Sequence, residues 1–249
     1  MLKSLKKTIV GLANRFGYDV IRRERTFPDD EREIMAKVRP FTMTDDAALC
    51  GLIHAIRYIS KNRIEGDIVE CGVWRGGSMM AAAYTLLALG DTTRSLHLFD
   101  TYEGMSAPTE RDIDPRGRQA QALLQADQSN KSTDIWAYAS FADVRQNMHA
   151  TGYPQERIHY VKGKVEDTLP QQMPTKIALL RLDTDWYEST AHELKHLYPN
   201  LSPNAVLILD DYGYWAGARQ ATDEYFSKLD FKPFLHRLNH PARLLIKPA

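Results

Sequence analysis

The chain has 249 residues, with 32 basic and 32 acidic side chains and a formal net charge of zero. A polyanion binder driven by counterion release carries a basic excess, and a disordered acidic chain carries the opposite bias, so a general nucleic-acid binder and a disordered segment are both excluded. With 43% hydrophobic and 26% charged residues, the composition suits one large α/β domain or two small ones.

Only two cysteines occur, Cys50 and Cys71. That is too few for a disulfide framework or a cysteine-based zinc site, and it points to a reducing, cytoplasmic setting. No stretch reaches the roughly 18 to 20 apolar residues of a membrane span. Residues 1–25 hold seven basic side chains and two acidic ones, a net +5 that leaves −5 for the remainder. Leu2, Leu5, Ile9, Val10 and Leu12 recur there at helix-like spacing, without the apolar run of a signal peptide. The expectation is a basic N-terminal arm over residues 1–40, packing on another subunit of a homo-oligomer, with peripheral contact to an anionic membrane surface as the alternative.

From Thr44 onward the elements follow in order. Thr44 or Asp45 is a plausible N-cap for a helix Asp46–Asn62, whose Leu49, Leu52, Ile53, Ile56 and Ile59 share one face. Five short runs rich in apolar and β-branched residues come next: Asp67–Cys71, Ser95–Asp100, Ile158–Lys162, Ile177–Asp183 and Ala205–Asp210. Segments long enough for a helix separate them, which implies a mostly parallel sheet covered on both faces. Gly104–Arg118 is charged, punctuated by Pro and Gly, and aperiodic; it opens a lid-like insertion extending to about residue 136. After a helix around Gly217–Leu229, the runs Phe231–Leu238 and Arg243–Lys247 meet at Asn239-His240-Pro241, which reads as a closing antiparallel hairpin.

Ligands of open α/β sheets bind beyond the carboxyl ends of the strands, and the polar residues gather there. The first strand runs into Glu70-Cys71-Gly72-Val73-Trp74-Arg75-Gly76-Gly77-Ser78 and then a helical Met79–Leu89. Glycines allow a ligand close to the backbone, and a helix N-terminus offers free N–H donors. Trp74 breaks the dinucleotide fingerprint, and no Lys stands where a phosphate-cradling loop needs one. Asp100 ends the second strand, where a carboxylate can accept both hydroxyls of a ribose. Alone, each feature also fits packing or a turn cap; together Glu70, the glycines and Asp100 favour a nucleoside-bearing cofactor.

Asp183 and Asp185 follow the fourth strand, and Asp210 and Asp211 the fifth. Four carboxylates at neighbouring strand tips repel unless a cation sits among them, and oxygen-only donors suit Mg²⁺; solvated helix caps are the alternative. His192-Glu193-Leu194-Lys195-His196 matches the zinc-protease pattern His-Glu-x-x-His. Lys195 inside the motif, Pro199 soon after it and the lack of a third ligand favour a solvated helix face instead.

In combination, four segments resemble the macrocin O-methyltransferase family: Val-Glu-Cys-Gly-Val-Trp-Arg-Gly-Gly-Ser at 69–78, His-Leu-Phe-Asp-Thr-Tyr-Glu-Gly at 97–104, Leu-Arg-Leu-Asp-Thr-Asp-Trp-Tyr-Glu-Ser-Thr at 180–190 and Leu-Asp-Asp-Tyr-Gly at 209–213. The resemblance spans about Phe41 to the end and implies a single methyltransferase domain over 41–249 with the class I, Rossmann-like α/β fold. It implies an S-adenosylmethionine- and Mg²⁺-dependent O-methyltransferase acting on a sugar hydroxyl of a glycosylated natural product or glycoconjugate. Carried over by position, Glu70, Gly72, Gly76 and Ser78 line the methionine and ribose end of the cofactor and Asp100 holds the ribose. Asp183, Asp210 and Asp211 ligate Mg²⁺, and Asp185 is the candidate general base. A catechol-type methyltransferase and a non-catalytic cofactor-binding module are the rival readings.

Overall fold

A computed structural model of the chain describes residues 27–127 and 134–249, with Leu12, Arg15 and Phe16 isolated ahead of them. The rest of the basic arm, residues 1–25, lies outside the described residues. Two helices open the fold, α1 (Asp29–Val38) and α2 (Asp46–Lys61). Then come β1 (Asp67–Cys71), α3 (Gly77–Leu89), β2 (Leu96–Asp100), α4 (Ala120–Ala126), α5 (Phe141–Ala150) and β3 (Ile158–Lys162). The second half holds α6 (Val165–Thr168), β4 (Ile177–Leu182), α7 (Tyr187–Leu197), β5 (Leu201–Leu209), α8 (Ala216–Ser227), β6 (His236–Arg237) and β7 (Arg243–Ile246).

The seven strands form one sheet in the order β3-β2-β1-β4-β5-β7-β6. All pairs from β3 to β5 are parallel, and β7 is antiparallel to both β5 and β6. The order reverses between β1 and β4, the switch point where a crevice opens above the strand ends. This is the mostly parallel α/β sheet with a closing antiparallel pair that the sequence led one to expect.

The period-2 alternation of each strand sorts its side chains onto two cores. Ile68, Leu179, Val206 and Ile208 face the layer formed with α1, α2 and α3, while Val69, Cys71, Leu180, Leu207 and Leu209 face the layer formed with α7 and α8. Local chemistry agrees with these positions. Asp45 caps α2 by accepting from the Ala48 N–H at 2.9 Å, and the expected apolar face of α2 is buried. Gly76 and Gly90 bracket α3 in left-handed conformations.

Three regions differ from the sequence reading. The arm was expected to run to residue 40, but Asp29–Val38 is a helix whose Ile34, Met35 and Val38 are buried in the core. Strand β5 begins at Leu201, several residues before the expected Ala205, because pairing with β4 holds a stretch that Pro203 and Asn204 mark as a turn. The hairpin's first strand shrinks to His236–Arg237.

The charged 104–118 stretch is irregular yet anchored. The Asp112 carboxylate is fully buried and accepts from the backbone N–H groups of Thr109 (2.6 Å) and Tyr187 (2.8 Å). Ser106 accepts from the Trp186 indole at 3.0 Å, and Trp186 stacks edge-on against Trp215. The insertion is therefore one wall of the molecule rather than a detached loop. Replacing Asp112 by Ala leaves those donors unsatisfied, which costs about 1–3 kcal/mol. Urea denaturation should register that loss, and limited proteolysis of Asp112→Ala should cut first within residues 104–118.

Candidate active site

A cleft of about 620 Å³ lies over the carboxyl ends of β1, β2, β4 and β5, bounded by the Phe41–Asp45 segment and by the insertion. Gly72, Ser78, Asp100, Asp183, Asp185, Asp210 and Asp211 all line it. Glu70 and Gly76 are not among the lining residues. Gly76 adopts the left-handed turn (φ 87°) that starts α3, and Glu70 lies beneath the floor, 1% exposed.

The β1–β4 register explains Glu70. It places Glu70 directly beside Arg181, and the Arg181 guanidinium reaches the Glu70 carboxylate at 2.7 Å. The same guanidinium donates to Asp183 at 2.5 Å, to Asp210 at 2.6 Å and to the Thr44 hydroxyl at 3.1 Å. Burial opposes the charge on Arg181, yet the three carboxylates outweigh it and hold the group protonated. Burial pushes the Glu70 carboxyl up to about 7 against the pull of Arg181. Sequence reasoning passed over Arg181 and Thr44. A lone charged residue in the apolar run Ile177–Leu182, two positions before Asp183 and so on its face, was the available signal.

Asp100 is fastened by the loops around it. One oxygen accepts from the N–H groups of Val73 (2.7 Å) and Trp74 (3.1 Å), the other from Tyr102 (2.6 Å). The Thr101 side chain adds a further contact, and the carboxylate borders the cleft. Gly72 (φ 82°) lets the chain leave β1 against β4, since a Cβ there would lie 1.9 Å from the Asp183 carbonyl oxygen.

The acidic group is arranged differently from the set expected on the metal. Carboxylate oxygens of Asp183, Asp185 and Asp211 lie within 4.8 Å of one another, while Asp210 is turned to Arg181. Asp185 has a left-handed backbone (φ 65°), which turns its side chain back toward Asp211. Burial pushes its carboxyl up to about 7, with the charges of Asp183 and Asp210 adding to the rise. Burial likewise raises Asp183 and Asp211. Of the five acids here, Glu70, Asp183 and Asp210 share the Arg181 guanidinium, while Asp185 and Asp211 lie beside them. The unbalanced negative charge, all on hard oxygen donors, suits a divalent cation such as Mg²⁺.

The macrocin-O-methyltransferase (TylF) family model matches residues 2–241. The chain belongs to that family. It is accordingly an O-methyltransferase. It is 31% identical over 201 residues (80% of this chain, 73% of the relative) to the 8-demethyl-8-(2,3-dimethoxy-α-L-rhamnosyl)-tetracenomycin-C 4′-O-methyltransferase of Streptomyces olivaceus. It is 32% identical over 184 residues (74% and 69%) to the mycinamicin III 3″-O-methyltransferase of Micromonospora griseorubida. Among solved structures, the O-methyltransferase NovP superposes with a TM-score of 0.72 at 28% identity, over 84% of this chain and 83% of its own.

Within this family member the His-Glu-x-x-His segment belongs to no group of three metal-type ligands among the described residues. The rings of His192 and His196 lie tilted with centroids 4.4 Å apart, and no third ligand joins them among the described residues. Glu193 points the other way, fully buried, and accepts from the Thr184 hydroxyl at 2.9 Å. It thereby braces the turn that carries Asp183 and Asp185. Removing the shared guanidinium tests the electrostatics directly. Arg181→Met leaves three carboxylates without their counter-charge, and breaking such a buried group costs about 3–5 kcal/mol; differential scanning calorimetry should show a lower melting temperature that added Mg²⁺ partly restores.

Proposed function

We propose that the protein transfers the methyl group of S-adenosylmethionine to a hydroxyl of a sugar carried on a natural product or glycoconjugate, with Mg²⁺ in the acidic group. The observation that carries this reading is the meeting, in one cleft, of the Asp100 and glycine-loop wall with the carboxylates at the tips of β4 and β5. Gly72, Ser78 and Asp100 would hold the cofactor, Asp100 at the ribose. Glu70 and Gly76 would support that wall from below, Glu70 by fixing Arg181 and Gly76 by setting the start of α3.

Asp183, Asp210 and Asp211 would hold Mg²⁺. Asp183 and Asp211 already converge, and Asp210 would join them by giving up its bond to Arg181. Bound Mg²⁺ would lower the pKa of a coordinated hydroxyl, and bound S-adenosylmethionine would supply an electrophilic methyl group. The work of the chain's own residues is orientation and proton transfer. Asp185, held beside the metal-binding carboxylates by its left-handed turn, would accept the acceptor's proton as general base. Trp215 and Tyr214 line the cleft, where the apolar face of a sugar would pack, and the walls would position the acceptor oxygen in line with the methyl group. The sugar reading is supported by the activities named for the relatives and by membership of their family.

Asp100→Asn should weaken S-adenosylhomocysteine binding by 10- to 100-fold in calorimetry, the size of one to two charged hydrogen bonds at about 1.5–3 kcal/mol. Unchanged affinity would remove the ribose role. Asp183→Ala and Asp211→Ala should abolish methyl transfer to rhamnosyl acceptors while changing S-adenosylhomocysteine affinity by less than about 3-fold. EDTA should do the same to the parent protein, with Mg²⁺ restoring turnover. Full turnover in EDTA would rule out the metal, and turnover of catechols but no glycoside would favour the aromatic-diol reading.

A further inference from the structure

Among the described residues outside the cleft, a group of side chains has ligand chemistry that methyl transfer does not use. Glu31 on α1 faces Cys50 and His54 on α2, and their ligating atoms all lie within 4.8 Å of one another. Cys50 and His54 are four residues apart and so share one helix face. The Cys50 sulfur is 3.5 Å from Glu31 Oε2 and 3.7 Å from His54 Nε2, while His54 Nε2 is 2.8 Å from Glu31 Oε1.

These spacings have a chemical meaning. Bonds of ~2.3 Å to sulfur and ~2.0 Å to nitrogen or oxygen at a tetrahedral ion set sulfur ~3.5 Å from the neighbouring ligand atoms. The two sulfur separations already match that edge. Glu31 is 1% exposed, and its other oxygen is held by Arg57 at 2.5 Å. Arg57 in turn pairs with Asp30 at 2.6 Å. The guanidinium thus orients the carboxylate from behind, as outer-shell partners of metal ligands do, and its charge is matched by Asp30. A divalent ion bound to one thiolate and one carboxylate would also be neutralised. His54 is 59% exposed, which leaves an entry path and an open fourth position for water.

We propose that Glu31, Cys50 and His54 form a site for Zn²⁺ or a similar borderline divalent ion, one that fastens α1 to α2. On binding, the Cys50 S–H bond breaks, a sulfur–metal bond forms and the proton leaves to solvent, with no change of oxidation state. The connection between the two helices contributes Phe41–Asp45 to the cleft wall, so the ion braces that wall from outside. The mixed sulfur, nitrogen and oxygen donors distinguish this site from the all-oxygen group in the cleft.

Titrating the chelator-stripped full chain with Co²⁺ tests the site, because only a cysteine ligand produces a thiolate-to-cobalt charge-transfer band. The expected result is that band together with tetrahedral visible absorption. Cys50→Ser should abolish the band, and His54→Ala should weaken Co²⁺ binding at least ~10-fold. Both variants should retain S-adenosylhomocysteine affinity, which shows that they are folded. A parent protein with no charge-transfer band, a band that survives in Cys50→Ser, or unchanged affinity in His54→Ala would overturn the proposal.

Discussion

The buried guanidinium of Arg181 is the constraint on which the cleft depends. It sits on the central strand β4, 4% exposed, and touches Glu70 from β1, Asp183 after β4, Asp210 after β5 and Thr44 from the α1–α2 connection. Taking such a charge out of water costs several kcal/mol, and only close opposite charges offset it. The arrangement contributes little to net stability by that reasoning. Its effect is to set positions: each carboxylate is drawn to a common centre, so three strand ends and one loop meet at one point. The family's acidic motifs are far apart along the chain, and Arg181 is the atom group that they share.

Around that centre, the backbone departs from ordinary conformations where the loops must turn sharply. Gly72, Trp74, Tyr102, Gly104 and Asp185 all have positive φ, and they follow β1, β2 and β4. Such conformations cost free energy at residues other than Gly and persist where the surroundings over-determine them. Here the determinants are visible. Asp100 binds the N–H groups of Val73, Trp74 and Tyr102 together, and Glu193 holds Thr184 from below. The rigid sheet presents loops, and buried carboxylates lock their shape. Across the cleft, Asp112 fastens the insertion to the start of α7, so both walls are fixed by buried acids rather than by apolar contact alone.

Among the described residues two groups of metal-type donors emerge, and donor chemistry separates them. The cleft offers only carboxylate oxygens, which select a hard ion; the α1–α2 junction offers sulfur, nitrogen and oxygen, which select a softer one. His192 and His196, which carry the more familiar zinc spacing, gather no third ligand among the described residues, since the helix turns Glu193 into the core and His192 lies against the Leu169 carbonyl. Spacing alone misleads there. The set of elements brought within a few ångströms decides the chemistry.

Much of this protein was legible in its amino acids. Alternating strands and helices, the glycine loop after β1 and the acidic pairs after β4 and β5 depend on nearest-neighbour rules: apolar period, turn residues and charge at a strand end. Those rules placed Gly72, Ser78, Asp100, Asp183, Asp185, Asp210 and Asp211 at the cleft. They did not reveal that Glu70 lies beneath it or that Asp185 joins Asp183 and Asp211 while Asp210 turns to Arg181. They also gave no sign that Glu31 meets Cys50 and His54. Each of these depends on which strands and helices lie side by side, and on the register between them. One residue of register decides whether Glu70 faces Arg181, and the packing of α1 on α2 decides what Cys50 touches. Local sequence therefore determined the elements and the residues at their ends, whereas long-range pairing alone decided which of those residues share charge.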